Sequence, residues 1–254
     1  VRERNFYTDE GNRNRTHYAQ TIEQHIIEPL VTRLAETSDY YERRKDIRKF
    51  NVDNDVLKRG ISLTPVKFGI SFTMQHMNQA GALLHIYTDG SIQLNHGGTE
   101  MGQGLYTKVA QIVAREFSVE LSRITCTATR TDKVPNTSPT AASSGSDLNG
   151  MAARDAATKL KKRLCDFAEK HFSTPSSSIS FNNGQIIVGK EKYPFEDIIK
   201  LAYHHRVSLS ATGYYRTPKI YYDRETATGR PFFYFAYGAA VAETIIDTLS
   251  GEYR

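Results

Sequence analysis

Cysteine and long apolar runs are both scarce in this chain of 254 residues. It has two cysteines, and neither Cys126 nor Cys165 stands at metal-ligand spacing from other candidate ligands. We therefore expect two buried thiols in a reducing compartment, and hence a cytoplasmic location. No run of apolar residues is long enough to cross a bilayer. These absences argue against a disulfide scaffold, a Cys/His metal centre and a membrane span.

The chain also has no long run of residues of one charge. The net charge is +5, and the basic residues are scattered apart from a short run at Lys159, Lys161, Lys162 and Arg163. Such a run is typical of the solvated face of a helix, so we expect no nucleic-acid partner. The chain begins with Val1 and shows no secretory signal. We expect it to be a processed or excised piece of a longer protein.

What the sequence does contain is an alternation of helical and extended patterns, which predicts an α+β fold. Helices are predicted at 17–38, with a kink at Pro29, and at 40–54, Leu105–Phe117, 147 onward and 194–203. Strands are predicted at 60–70, broken by Pro65, and at 82–88, 92–95, 121–129, 180–188 as a hairpin, 207–217 and 232–249. We divide the chain into a lead-in helical segment (1–58), a cofactor-binding part (59–172) and a second αβ part (173–254).

The stretch His96-Gly97-Gly98-Thr99-Glu100-Met101-Gly102-Gln103-Gly104 lies between a predicted strand and a predicted helix. Free N–H groups and the positive end of a helix dipole at such a loop bind anions, above all phosphate. The nucleotide P-loop would require Lys and Ser/Thr where Gln103 and Gly104 stand, and the dinucleotide fingerprint would require glycine at Thr107. The loop is therefore either an anion site of another kind or an ordinary strand-to-helix turn.

A second loop, residues 134–147, is rich in small hydroxylated residues and leads into the long helix. Ser146 and Asp147 are the predicted N-cap residues of that helix. Hydroxyls before a second helix N-terminus predict a second phosphate cradle, while the alternative is an ordinary capped linker.

Several longer motifs carry a family resemblance when they are taken together. They are Phe68-Gly69-Ile70-Ser71-Phe72-Thr73, the loop 96–104, the stretch 134–143 with Asp147-Leu148-Asn149-Gly150, and the stretches 209–218 and 237–240. In this order they resemble the molybdenum-binding part of the xanthine dehydrogenase and aldehyde oxidase family, over nearly the whole chain. The resemblance is to bacterial enzymes in which this part is a separate large subunit, and it implies mixed sheets packed with helices.

In that family a molybdenum atom held by molybdopterin hydroxylates an electron-poor carbon, and the purine branch converts hypoxanthine and xanthine to urate. Electrons then leave through 2Fe–2S clusters and FAD to NAD. The stretch Pro-Asn-Thr-Ser-Pro-Thr-Ala-Ala at 135–142 resembles the purine branch. The resemblance implies an iron–sulfur/FAD partner subunit and a dimer of heterodimers, without nucleic acid or membrane.

The resemblance also implies roles for individual residues. Gln103 is the catalytic candidate, because its amide would hydrogen-bond an oxygen ligand of the metal without adding charge. The implied cofactor-binding residues are Met101, Gly102, Gln103, Thr140, Ala142, Ser143 and Ser146. Phe72 would stack on the substrate, Thr73 would contact a substrate oxygen, and Ala142 would lie close to both the metal and the substrate without ligating the metal.

The family's general base, a glutamate in a Gly-Glu-Pro-Pro stretch, is not found in this sequence, and neither Glu100 nor Glu243 matches it. Its upstream glycine-rich segments and substrate-binding Arg and Glu are not found either. Since a general base contributes roughly 10²- to 10⁴-fold in rate, we expect this chain alone neither to hold the cofactor firmly nor to turn over purines. The alternatives are a hydroxylase for aldehydes or other N-heterocycles and a cofactor-free assembly module.

Overall fold

The computed structural model describes residues 1–133 and 137–254, which form an α+β fold with mixed sheets, as predicted. The helices are α1 (Ile27–Thr37), α2 (Tyr40–Asp53), α3 (Leu105–Phe117), α4 (Gly145–Phe172) and α5 (Phe195–His204). The strands are β1 (Leu57–Ile70), β2 (Gln79–Ile86), β3 (Ile92–His96), β4 (Ile124–Cys126), β5 (Ile179–Asn182), β6 (Gln185–Val188), β7 (Glu191–Pro194), β8 (Ser210–Arg216), β9 (Tyr221–Asp223), β10 (Thr228–Arg230) and β11 (Tyr234–Asp247).

The chain forms two compact units whose limits differ from those of the three predicted parts. One unit comprises residues 1–70 and 220–254, and the other comprises residues 71–219. The predicted boundary after residue 58 lies inside β1, and the boundary after residue 172 lies inside the second unit. None of the described helices combines the length and apolarity that a bilayer crossing needs.

In the first unit, β1 and β11 pair antiparallel along their whole length, from Leu57 opposite Asp247 to Ile70 opposite Tyr234. The predicted break at Pro65 is wrong. Ile245 directs its N–H away from β1, to the carbonyl of Arg254 at 3.0 Å. The backbone N–H groups of an antiparallel pair point towards and away from the partner strand at alternate residues. Ala239 is six residues before Ile245, so Ala239 and its partner Pro65 also face away from the ladder. Proline therefore costs no ladder hydrogen bond at this position.

The first helix of this unit is shorter than predicted, because it begins at Ile27 rather than at residue 17. Residues 15–22 instead form a tight turn closed by the bridge between Arg15 and Thr21. Ile22 is buried, so its apolar character reflects packing from a turn and not from a helical face. Pro29 lies in the first turn of α1, where its missing N–H has no intrahelical partner to lose.

The second unit, residues 71–219, contains a four-stranded sheet in the order β4-β3-β2-β8, with β4 parallel to β3 and the other pairs antiparallel. Helices α3 and α4 pack with this sheet around one buried core. The apolar stripe predicted for α4 is confirmed, because its members are all buried: Leu148, Ala152, Ala156, Leu160 and Leu164. The predicted strand 121–129 is wrong in extent, since residues 121–123 form a 3₁₀ turn before the short β4.

Both cysteines lie in this second unit as free thiols. Each is half-buried, and burial raises the pKa of Cys126 to about 11 and raises the pKa of Cys165. A thiol with a raised pKa is a poor nucleophile at neutral pH, so neither cysteine is a candidate for chemistry.

Candidate functional site

The glycine-rich loop connects β3 to α3, and its own glutamate occupies the N-terminus of that helix. One carboxylate oxygen of Glu100 accepts the N–H groups of Gly102 and Gly104, both at 2.9 Å, and the other accepts the N–H of Tyr106 at 3.0 Å. These bonds, first that from Tyr106, lower the pKa of Glu100. Three N–H groups that the sequence assigned to a ligand anion are therefore satisfied within the chain.

The side chain of Gln103 folds back on the same loop. Its Nε2 donates to the carbonyl of Thr99 at 2.9 Å, and its Oε1 accepts the N–H of Met101 at 2.6 Å. A primary amide carries two N–H bonds and two lone pairs, so one donor and one acceptor position remain. Because the side chain is exposed, that remaining N–H is accessible to a ligand.

The hydroxyl-rich loop approaches the glycine-rich loop directly, although its first residues, 134–136, lie outside the described residues. The N–H of Thr99 donates to Oγ1 of Thr140 at 2.8 Å, which joins the two loops. Ala142 and Ser143 then adopt left-handed backbone conformations, with φ of 53° and 54°. Such conformations are costly for residues other than glycine, and they persist where surrounding structure imposes them.

The predicted N-cap residues of α4 are wrong. The helix already includes Gly145, Ser146 and Asp147, and Ser144 stands at the N-cap with its hydroxyl on the carbonyl of Ala141 at 3.1 Å. Ser144 itself makes no side-chain hydrogen bond to the first turn of α4, and Asp147 places a carboxylate in that turn. The sequence signal was ambiguous here because Ser143, Ser144 and Ser146 all suit an N-cap.

A cavity of about 440 Å³ opens between the two loops, within the size range of small-molecule sites. Its lining residues are Met101, Gln103, Leu105, Lys108, Thr140, Ala141, Ala142, Ser143, Gly145 and Ser146. Six of the predicted cofactor-binding residues are thus brought together, and Gly102 is the one not found among the described lining residues. Two larger cavities, of about 590 and 700 Å³, lie in the other unit, and none of the described residues that line them is a predicted site residue.

Behind the loop lies a residue that sequence reasoning missed. His96, at the end of β3, is 2% exposed, and its Nδ1 accepts the N–H of Gly98 at 3.1 Å. This bond assigns the proton to Nε2, which has no partner among the described residues. Burial lowers the pKa of His96 to about 4, with a smaller opposing effect of Glu100. The loop is therefore supported by a neutral imidazole.

The two glycines after His96 fit closely packed surroundings. A Cβ at Gly97 would overlap the side chain of Thr137, and one at Gly98 would lie 2.5 Å from Leu105 Cδ2 and 2.8 Å from Asn149 Nδ2. Side chains are therefore excluded at both positions for reasons of space. The described residues provide no partner for the buried Thr137 Oγ1 or for Asn149 Oδ1.

The predicted substrate residues Phe72 and Thr73 lie in the same unit but are not among the described residues that line the cavity. Their loop is fixed by Asn78, a buried residue that the sequence did not single out. Asn78 Oδ1 accepts the N–H of Phe72 at 2.8 Å, and Nδ2 donates to the carbonyls of Phe72 and Met74 at 2.9 and 3.0 Å.

Removing the Glu100 carboxylate should free the loop. We expect Glu100→Ala to speed hydrogen exchange of the Gly102, Gly104 and Tyr106 amides by about tenfold, because each loses its acceptor. Glu100→Gln keeps one oxygen acceptor and should give a smaller effect. NMR exchange rates measure the change, with the exposed Glu191→Ala as control. Unchanged exchange at all three amides in Glu100→Ala would contradict the capping role.

Comparison with known proteins identifies the family. A sequence model described as a molybdopterin cofactor-binding domain matches residues 33–254. The chain belongs to the molybdopterin cofactor-binding domain family. Both the glycine-rich loop and the cavity between the two loops lie within the matched residues of this domain.

Curated relatives of this molybdopterin cofactor-binding domain cover it from end to end. It is 45% identical over 254 residues to a xanthine dehydrogenase/oxidase of Felis catus and 44% identical over 256 residues to a xanthine dehydrogenase of Dictyostelium discoideum. Both alignments include 100% of this chain and 17% of the relative. The chain thus spans about a sixth of the length of these relatives.

Solved structures confirm the fold of the domain. Quinoline 2-oxidoreductase from Pseudomonas putida 86 superposes with a TM-score of 0.73 at 19% identity, covering 94% of this chain and 31% of that one. Aldehyde oxidoreductase from Desulfovibrio gigas superposes with a TM-score of 0.70, also at 19% identity, covering 93% of this chain and 23% of that one. At this identity the likeness concerns the fold alone.

Proposed function

We propose that this chain is part of the molybdopterin-binding subunit of a xanthine dehydrogenase, which hydroxylates hypoxanthine and xanthine to urate. The family match supports molybdopterin as the ligand, and identities of 44–45% to the two named relatives support the purine substrate. The observation that carries the proposal is that Gln103 and Ala142, in loops far apart in sequence, line one cavity.

The residues around this cavity fit the chemistry of a molybdopterin. Hydroxyls of Thr140, Ser143 and Ser146 offer donors and acceptors to a polar pterin. None of the described lining residues carries a carboxylate that would repel an anion. When bound, the cofactor supplies the molybdenum centre at which a carbon of the substrate is hydroxylated.

Within this proposal the chain's own residues bind and orient. The free amide N–H of Gln103 donates to an oxygen of the bound group without adding charge, and Met101 covers the pterin. Ala142 leaves room for a flat substrate, which Phe72 and Thr73 contact. Gly102 acts only indirectly, because its N–H is held by Glu100.

The remaining functions belong to other parts of the enzyme in this proposal. Electrons pass to 2Fe–2S clusters and FAD on a partner subunit and then to NAD, and the assembly is a dimer of heterodimers in the cytoplasm. A general base is not found among the residues of this chain that resemble the family's motifs, so the chain alone is inactive.

The proposal is tested on the longer protein that contains this chain. We expect it to contain molybdenum by elemental analysis and to turn over hypoxanthine much faster than an aromatic aldehyde. A molybdenum-free protein would favour the assembly module, and a preference for the aldehyde would favour the other hydroxylases. The isolated chain should show no turnover with xanthine even after incubation with molybdopterin.

A further inference from the structure

The outer edge of β11 is an open strand edge in the unit formed by residues 1–70 and 220–254. The inner edge of this strand pairs with β1 along its whole length. Since the N–H of Ile245 points away from β1, alternation directs the N–H groups of Glu243, Val241, Ala239 and Tyr237 away from it as well. None of the hydrogen bonds found among the described residues uses these four N–H groups. The open stretch from 237 to 243 is about 20 Å long.

The other edge of this two-stranded sheet, along β1, is largely closed. Asn51 accepts the N–H of Arg59 at 2.7 Å and donates to the carbonyl of Arg59 at 2.8 Å. The carbonyl of Leu63 accepts a hydrogen bond from Arg2, and Pro65 has no N–H to donate. A further strand therefore has no continuous ladder to join on this side.

The free edge of β8, in the unit formed by residues 71–219, is closed by side chains of α4. The N–H of Tyr214 donates to Oδ2 of Asp155 at 3.0 Å, and the carbonyl of Thr212 accepts a hydrogen bond from Nζ of Lys159 at 3.1 Å. Proteins commonly protect an edge strand from pairing in this way. For β11, the described residues provide no such protection between 237 and 243.

The side chains of β11 also favour pairing with a further strand. Alanine and glycine occupy one face of the strand, at 236, 238, 240 and 242. Glu243 is the single charged residue from 235 to 246, and its carboxylate is bound by Arg43 and Arg59. The same stretch contains no proline. Free charges and prolines, which discourage edge pairing, are thus missing from this part of the sequence.

The end of this edge already carries the start of an antiparallel strand. The N–H of Ile245 donates to the carbonyl of Arg254 at 3.0 Å, and the N–H of Arg254 donates to the carbonyl of Ile245 at 3.1 Å. The N–H of Asp247 donates to the carbonyl of Glu252 at 2.9 Å, across a turn in which Gly251 has a φ of 79°. These bonds fix the register, because each further residue of the new strand lies opposite the preceding residue of β11.

We propose that the outer edge of β11 binds the residues that follow Arg254 in the longer protein, as a third and antiparallel strand. In this register the second and fourth residues after Arg254 exchange hydrogen bonds with Glu243 and Val241, and the alternation continues to Tyr237. The alanines and glycine of β11 leave room for larger apolar side chains on the new strand. A third strand also stabilises the sheet, since an isolated two-stranded sheet is marginal in water. The proposal goes beyond the proposed function, because it involves neither the cavity nor a cofactor.

Residue-resolved amide hydrogen exchange tests the pairing. In the 254-residue chain, the outward amides of Tyr237, Ala239 and Val241 should exchange quickly, whereas those of Gly238 and Ala240, which face β1, should exchange slowly. In the longer protein, we expect the three outward amides to slow by at least about a hundredfold and the two inward amides to remain slow. Fast exchange at the outward amides of the longer protein would overturn the proposal.

A disulfide cross-link tests the register and separates strand pairing from simple burial under another segment. Ala242 is exposed, and the register places the third residue after Arg254 opposite it, at a position where Cα atoms are about 4.5 Å apart and a disulfide fits. We expect Ala242→Cys, combined with a cysteine at that third residue, to cross-link in the longer protein on treatment with oxidised glutathione.

The matched control for the cross-link places the second cysteine at the fourth residue after Arg254. That side chain points to the opposite face of the sheet, so its cross-link with Ala242→Cys should form at least about tenfold less. Peptide mapping by mass spectrometry measures both yields. Equal yields in the two variants, or no cross-link in either, would overturn the proposal even where the outward amides are protected.

Discussion

Replacing Gly213 by alanine is expected to lower the free energy of unfolding of the unit formed by residues 71–219 by at least about 3 kcal/mol. Gly213 lies in β8, where an added Cβ would overlap the carbonyl oxygen of Ala152 and lie 2.5 Å from the backbone nitrogen of Ala156. Both obstacles are backbone atoms of α4, so neither can be relieved by a change of rotamer. Urea unfolding followed by circular dichroism measures the effect.

The close contact between β8 and α4 at Gly213 helps to position the cavity. Five alanines of α4 are fully buried, and four of them lie within six residues, which lets the helix lie close to the sheet there: Ala152, Ala153, Ala156 and Ala157. The first turn of the same helix lines the cavity through Gly145 and Ser146. A displaced α4 would therefore move one wall of the site.

The matched control for this prediction is Gly238→Ala in β11, where an added Cβ meets nothing within 4 Å. That variant should change the unfolding free energy by less than about 1 kcal/mol. Equal stability of Gly213→Ala and Gly238→Ala would mean that α4 and β8 are not packed as described.

Lowering the pH from 6.5 towards 4 is expected to lower the free energy of unfolding through His96. Its pKa is about 4 in the folded chain against about 6.5 when unfolded, so the folded state binds fewer protons than the unfolded state between these values. The contribution of the neutral imidazole is fully present above pH 6.5 and is lost as the pH falls towards 4. The difference corresponds to roughly 3 kcal/mol of unfolding free energy.

The structural reason is that protonation places a hydrogen on Nδ1, where the N–H of Gly98 now donates. We expect His96→Asn, whose side-chain oxygen can accept the same N–H, to flatten the pH dependence of stability between pH 6.5 and 4. His76→Asn, at an exposed position of the same unit, serves as the control and should follow the unchanged chain. Parallel pH profiles for His96→Asn and the unchanged chain would show that His96 is not held neutral by the fold.

Local sequence patterns predicted the helices and strands whose apolar residues recur at regular spacing. α3 has the predicted limits, because its apolar spacing and Gly104 mark the helix and its start. The resemblance predicted site residues in two loops, and residues of both loops line one cavity in the structure. Its individual residue roles stay predictions.

Tertiary contacts decided the features that the sequence could not reveal. Pro65 does not break β1, because its backbone nitrogen faces away from β11, the strand far along the chain that pairs with β1. Ile22 is buried from a turn, and apolar spacing alone cannot distinguish that turn from a helix. Glu100 does not match the family's general base, but an acidic residue just before a helix N-terminus is a recognisable sign of capping, and the structure shows Glu100 in that role. For His96 and Asn78, no sequence signal distinguishes a supporting side chain from an exposed one.

The most direct test of the central claim is a crystal structure of the longer protein with its cofactor bound. We predict that molybdopterin lies in the cavity lined by Gln103, Ala142 and Ser143. Cofactor density elsewhere in the unit formed by residues 71–219, with this cavity filled by solvent, would contradict the account.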